Sequence, residues 1–189
     1  DPIADGPAIQ RASERALAAG ARLSSVLDLV GGVRVAGFDA PVVLFGYANP
    51  VLAMGETAFA SRAAAAGVDG ALVTDLPPEE GASFAATLRS ARLDPVFLLA
   101  PTSPPLRVRN VGRLSRGFVY VVSRPGVTGV RSDVPEGLPE LLASRAASLG
   151  GSAETGGRCV VIPVGYGGER GPDLPEVARH AGLSESEVV

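Results

Sequence analysis

The sequence has no lysine and no tryptophan, and a single cysteine and a single histidine among 189 residues. All 17 basic residues are therefore arginines, which excludes a Schiff-base lysine, a pyridoxal-phosphate anchor and a P-loop lysine. Cys159 and His180 cannot between them build a disulfide framework or a Cys/His zinc site, so no metal is expected and a cytoplasmic setting is. Aromatic residues are sparse, six Phe and three Tyr, and 17 Arg against 20 Asp+Glu leave a net charge of −3. Neither a basic groove nor a stacking platform for nucleic acid is present. Apolar runs such as Ala40 to Phe45 fall far short of the roughly 20 residues that span a bilayer, and a soluble protein is expected. The chain opens on Asp1 rather than Met, with no basic and then apolar leader behind it, and reads as neither a native start nor a signal peptide.

With 46% hydrophobic and 20% charged residues, the composition is globular. Short apolar runs at Pro41 to Tyr47, Gly70 to Thr74, Pro95 to Ala100 and Gly117 to Val122 read as buried strands. Helical segments are expected between them at Glu56 to Ala66, Pro78 to Arg92 and Pro104 to Arg113, and before them at Ala8 to Ala19 and Leu23 to Arg34. Repeated strand, loop and helix implies parallel strands joined by right-handed crossovers. The fold class is α/β, either an open doubly wound sheet or a barrel. Pro7 suits a first helical turn and Gly20 a helix end. Pro78 with Glu79 and Glu80 suits another helix start, with acidic groups at the positive end of the dipole, and Gly67 closes the helix before the second strand. From about Ala143 the texture changes. A Gly/Ser-rich stretch, Gly150 to Gly157, precedes one strand-like run, Arg158 to Val164, and a helix-like Leu174 to Ala181.

In parallel α/β folds the working groups gather at the carboxyl ends of the strands. Those positions hold Tyr47 and Asn49, then Asp75, then Thr102 and Ser103, then Ser123 and Arg124. The last pair leads into Pro125 to Gly129, a loop able to move or to offer backbone N–H groups to an anion. Asp5, just ahead of a helix, either caps that helix or accepts a hydrogen bond from a substrate N–H. Asp75 is open in the same way, as a helix-entry cap or a functional carboxylate. Tyr47 and Tyr120 by default are core residues with satisfied hydroxyls. Thr128 by itself is a turn residue, Cys159 a small core residue and His180 a surface residue near a helix end.

Taken in order, Asp1 to Gln10 (DPIADGPAIQ), Tyr47 to Pro50 (YANP), Thr74 to Pro77 (TDLP) and Tyr120 to Gly129 (YVVSRPGVTG) resemble successive landmarks of the tryptophan synthase alpha chain family, over roughly residues 1 to 145. The resemblance implies a TIM barrel and retro-aldol cleavage of indole-3-glycerol phosphate to indole and glyceraldehyde 3-phosphate, with no cofactor in this subunit. It implies that Asp5 hydrogen-bonds the indole N–H and that Thr128, in a mobile loop, orients Asp5. Tyr120 would line the substrate pocket and Gly129 would hold the phosphate through its backbone. Pro2, Asn49 and Pro77 would face the tryptophan synthase beta subunit, which receives the indole.

The family's general acid/base glutamate lies a few residues ahead of the Asp-Pro motif, and its last two strands follow the helix at Leu138 to Ala147. Neither stands in these 189 residues, and Asp5 alone cannot both hold the N–H and transfer protons. The expectation is a partial barrel with impaired catalysis. An alternative is a non-catalytic chain that at most binds the beta subunit or itself through open strand edges. The segment Val161 to Leu174, with Val177 to Ser184, resembles the start of the 5-oxoprolinase small-subunit family, related to allophanate hydrolase subunit 1. Gly165 stands where that family has Cys, and no activity is carried over. The expected organisation is a partial barrel over 1–147, a junction over 148–157 and a short unrelated β/α tail over 158–189.

Overall fold

The computed structural model describes residues 5–122 together with residues 179 and 184. They fall into two compact units, residues 5–20 with 179 and 184, and residues 21–122. The expected strand Arg158 to Val164, the helix Leu174 to Ala181, the loop Pro125 to Gly129 and the residues Cys159 and His180 lie outside the described residues.

The first unit contains α1, Pro7–Ala18. Pro7 occupies the first turn, where its missing N–H costs nothing, and Gly20 follows the end at φ +87°. In the second unit the order is α2 (Leu23–Val35), β1 (Val43–Gly46), α3 (Ala48–Met54), α4 (Glu56–Ala65) and β2 (Gly70–Val73). Then come α5 (Ala82–Ser90), β3 (Asp94–Val96), β4 (Leu98–Leu99), α6 (Pro105–Leu114) and β5 (Tyr120–Val121). The ends of α2, α4 and α5 share one device. The second residue past the helix turns left-handed, at Gly37, Gly67 and Arg92, and the one after it donates back to the last turn, as Val68 N–H does to the Ala63 carbonyl. Among the described residues no single helix is long and apolar enough to cross a membrane.

All strand pairs among the described residues are parallel: β1 with β2, β2 with β3, and β4 with β5. Phe97 alone separates β3 from β4. Its carbonyl accepts the Tyr120 N–H at 3.1 Å, while its own N–H donates to Ser115 Oγ at 3.2 Å. Pro95, having no N–H, adds to the local break. The run from Asp94 to Leu99 thus works as one strand, and the spatial order of the strands follows the chain. A sheet without an order reversal is the winding of a barrel rather than of a doubly wound fold.

Curvature agrees. Phe45 on β1 and Tyr120 on β5 stand three strand spacings apart, about 14 Å in a flat sheet, yet their ring centroids are 5.7 Å apart. The sheet curls until its two outer strands face each other across a concave side. Register places Phe45, Leu72, Val96, Leu98 and Tyr120 on that side. Leu72 and Val96 are buried but belong to neither of the clusters packed under the helices. The opposite face carries Ala71 and Val73 against Phe59, Phe84 and Leu88, and Phe97 and Leu99 against Ala85, Val108 and Val111. Phe59 and Phe84 stack at 6.1 Å and join α4 to α5, each worth about 2 to 3 kcal/mol of burial.

Two sequence expectations need correcting. The helix expected from Pro78 starts at Ala82, because the Pro77 carbonyl takes the N–H groups of Glu80 and Gly81 at 3.0 and 2.9 Å and closes a separate turn. Glu79 and Glu80 lie in that turn and not in a helical first turn. The segment after β1, read as a loop, contains the seven-residue helix α3.

Candidate functional site

The carboxyl ends of the strands assemble from three loops of the second unit. β1 ends at Gly46 and α3 begins at Ala48, so Tyr47 alone makes the strand-to-helix turn. That turn is held from β2. Thr74 N–H and Oγ1–H both donate to the Gly46 carbonyl, at 2.9 and 3.1 Å, and the Ala48 N–H donates to Asp75 Oδ1 at 2.7 Å. Asp75 is therefore not the cap of the helix that follows it. It serves a helix start 27 residues upstream. After β4, Ser103 is buried and its Oγ accepts the Ala100 N–H at 2.9 Å, which makes it a brace of its own loop, while Thr102 is exposed.

Tyr120 is not a core residue: it is 40% exposed, on the concave side, with its ring tilted 54° to that of Phe45, itself 57% exposed. Together with buried Leu72 and Val96 the two rings form an apolar, aromatic-edged wall at the inside of the curl. Such a wall suits one face of a flat apolar group. Tyr47 is half-buried at the end of β1. Asn49, the second residue of α3, is exposed, and Pro77 is half-buried on the neighbouring strand-end loop. Among the described residues no group of three His, Cys, Asp or Glu side chains is placed to hold a metal ion.

Asp5 belongs to the first unit. It is not the N-cap of α1: Gly6 holds that position, and the Asp5 backbone carbonyl accepts Gln10 Nε2 at 2.8 Å. Pro2, Thr128 and Gly129 lie outside the described residues. The structure brings Tyr120 to Phe45 and puts Asn49 and Pro77 on adjacent strand-end loops. Phe45 carries no polar signal in sequence, and only the curvature of the sheet reveals it.

At the other end of the strands a cluster absent from the sequence reading holds the unit together. Arg34 of α2 donates Nε to the Gly67 carbonyl at 2.9 Å and Nη1 to the carbonyls of Phe38 and Ala40, both at 2.7 Å. Its Nη2 pairs with Asp69 Oδ2 at 2.6 Å, and the same oxygen accepts the Val42 N–H at 2.7 Å. This is the amino end of the strands, where barrels place stabilising contacts.

Comparison with known proteins gives this geometry a family. The tryptophan synthase alpha chain family matches residues 1–148, and the carboxyltransferase domain, subdomains C and D, matches residues 119–189. The tryptophan synthase alpha chain of Cupriavidus pinatubonensis is 60% identical over 129 residues, 68% of this chain and 49% of that protein. The Dechloromonas aromatica alpha chain is 48% identical over 190 residues, 100% of this chain and 66% of its own length. A solved tryptophan synthase α2β2 complex from Pyrococcus furiosus superposes with a TM-score of 0.70 at 39% identity, covering 79% of this chain and 59% of the matched one. The chain spans about half the length of the curated relatives it matches. The parallel, chain-ordered, inward-curling strands are thus part of a TIM barrel. With a matched segment covering most of the sequence and these landmarks in order, the chain belongs to the tryptophan synthase alpha chain family.

Proposed function

We propose that the chain acts in the alpha reaction of tryptophan synthesis, the retro-aldol cleavage of indole-3-glycerol phosphate to indole and glyceraldehyde 3-phosphate. The observation that carries this reading is the inward wall of Phe45, Leu72, Val96 and Tyr120, apolar and aromatic-edged, in a chain of this family. The indole ring lies against that wall, with Tyr120 lining the pocket. The Asp5 carboxylate accepts the indole N–H and stabilises the positive charge that develops there when the ring carbon is protonated, a charge discharged as the carbon–carbon bond breaks. The proton transfers themselves belong to the family's general acid/base glutamate, which Asp5 does not replace. Thr128 orients Asp5, and Gly129 offers its backbone N–H to the phosphate. Pro2, Asn49 and Pro77 face a tryptophan synthase beta subunit. The similarity to an α2β2 complex supports that partner. A cytoplasmic setting accompanies this biosynthetic role.

Indole release from indole-3-glycerol phosphate, with and without a beta subunit, tests the chemistry. Asp5→Asn is expected to lower the rate by 10²-fold or more, the size of a lost transition-state hydrogen-bond partner. A rate indifferent to Asp5→Asn would remove Asp5 from the mechanism.

The tail has a reading of its own. The carboxyltransferase match over residues 119–189 favours a division into a barrel part over 1–147, a junction over 148–157 and a 5-oxoprolinase-type fragment over 158–189. The Dechloromonas alignment, running through the whole chain, weighs against it. Long single-molecule reads of the source genome across codons 146 to 157 decide. An uninterrupted frame supports a fused gene, and two separated loci overturn it.

A further inference from the structure

Asn49 and Pro77, the two residues proposed to face the partner that fall in the second unit, lie one and two residues from the ends of a single hydrogen bond, Ala48 N–H to Asp75 Oδ1 at 2.7 Å. We propose that Asp75 is a positioning residue that locks the α3 start to the β2-end loop, so that Asn49 and Pro77 present a single rigid surface to the beta subunit. This rests on the proposed function, from which the partner is taken.

Tyr47 is the N-cap of α3 and makes no side-chain cap hydrogen bond. A helix start of this kind leaves its first N–H groups without intrahelical acceptors. Asp75 Oδ1 supplies one for Ala48 at 2.7 Å, and a carboxylate there is also favoured by the helix dipole. The neighbouring Thr74 fixes the Gly46 carbonyl twice, through its N–H and its hydroxyl. Two successive β2-end residues therefore grip the whole Gly46 to Ala48 turn. Asn49 is the next residue after Ala48, and Pro77 stands two beyond Asp75. Displacing Ala48 from Asp75 shifts one partner-facing residue relative to the other.

An ordinary capping role is a poor account of Asp75. Its own following helix, α5, starts at Ala82 with Gly81 as N-cap, and the helix it does serve belongs to the preceding βα unit. A local cap stabilises one element, whereas this bond ties two loops together.

The bond can be cut from either side. Asp75→Ala removes the acceptor. Ala48→Pro removes the donor at the first helical position, where proline is tolerated, behind a Tyr47 whose φ −114° and ψ 159° already suit a residue before proline. Far-UV circular dichroism checks that each variant folds. Affinity for the beta subunit is then measured by titration for both single variants, the double variant, Asp75→Asn and Asn49→Ala. Each single variant is expected to weaken association about tenfold, the scale of one hydrogen bond to a charged group. The double variant should be no weaker than the singles, because both cut the same bond. Asp75→Asn, which keeps an acceptor oxygen, should recover most of the loss.

If Asn49→Ala weakens association and Asp75→Ala does not, the positioning role is overturned with the partner surface intact. Additive losses in the double variant would also overturn it, since Asp75 would then be touching the partner directly. If neither Asn49→Ala nor Asp75→Ala changes association, the partner surface itself is misassigned and the proposal falls with it.

Discussion

Replacing Arg34 by methionine keeps an apolar stem of similar length but removes every donor of the guanidinium. The structure fixes the expected loss. The Nε bond to Gly67 is partly buried and worth about 1 to 1.5 kcal/mol. The two Nη1 bonds to Phe38 and Ala40 are exposed, and at the lower end of the net range contribute roughly 0.5 kcal/mol each. The Asp69 partner is 53% exposed, so the ion pair adds at most about 1 kcal/mol. The sum is about 3 kcal/mol, or a fall in melting temperature of roughly 6 to 12 °C for a chain of this size. Urea denaturation of wild type and Arg34→Met at low salt and in 1 M NaCl is the assay. Most of the difference should survive high salt, because carbonyl hydrogen bonds are screened far less than the ion pair. Arg34→Lys should recover less than half, since one ammonium cannot reach four acceptors arranged for a planar fork. A loss under about 1 kcal/mol in Arg34→Met would refute the view that this side chain ties α2 to the two loops before β1 and β2.

At Gly81 a Cβ would lie 2.4 Å from Phe97 Cε1; Gly81→Ala should cost about 1 to 3 kcal/mol in urea unfolding, with part of the cost relieved when Phe97→Leu is combined with it. Arg92 holds the left-handed position after α5 at φ 62°, where a side chain costs about 1 kcal/mol, so Arg92→Gly should raise the melting temperature. No increase there would show that the Arg92 side chain contributes a compensating contact.

The strands were legible because each is an apolar run, and each element shows where the reading stops. Gly70 to Thr74 is recovered almost whole as Gly70–Val73, since β2 is buried on both faces. Pro41 to Tyr47 shrinks to Val43–Gly46, the part that has a partner in β2. α3 escaped because its seven residues include Pro50 and no capping side chain. The true start of α5 follows from the Pro77 carbonyl closing a separate turn with Glu80 and Gly81, which Pro78 and the two glutamates disguise as a helix entry. At the site, Asn49 follows the first strand as expected, whereas Tyr120, by default a core residue in sequence, is 40% exposed on the concave side. Phe45 looked like any buried strand residue until curvature turned it inward. The partner of Asp75 lies 27 residues away, and two of the four acceptors of Arg34, on Gly67 and Asp69, lie 33 and 35 away, where no local pattern encodes them.

Under the proposed function, the inward wall at Phe45 and Tyr120 receives the indole of indole-3-glycerol phosphate. Calorimetric titration of that compound into wild type and Tyr120→Ala tests it without requiring turnover. Saturable binding by the wild type is expected, with an affinity about tenfold lower in Tyr120→Ala, the scale of one aromatic contact. Equal affinities, or no binding by the wild type, would contradict it.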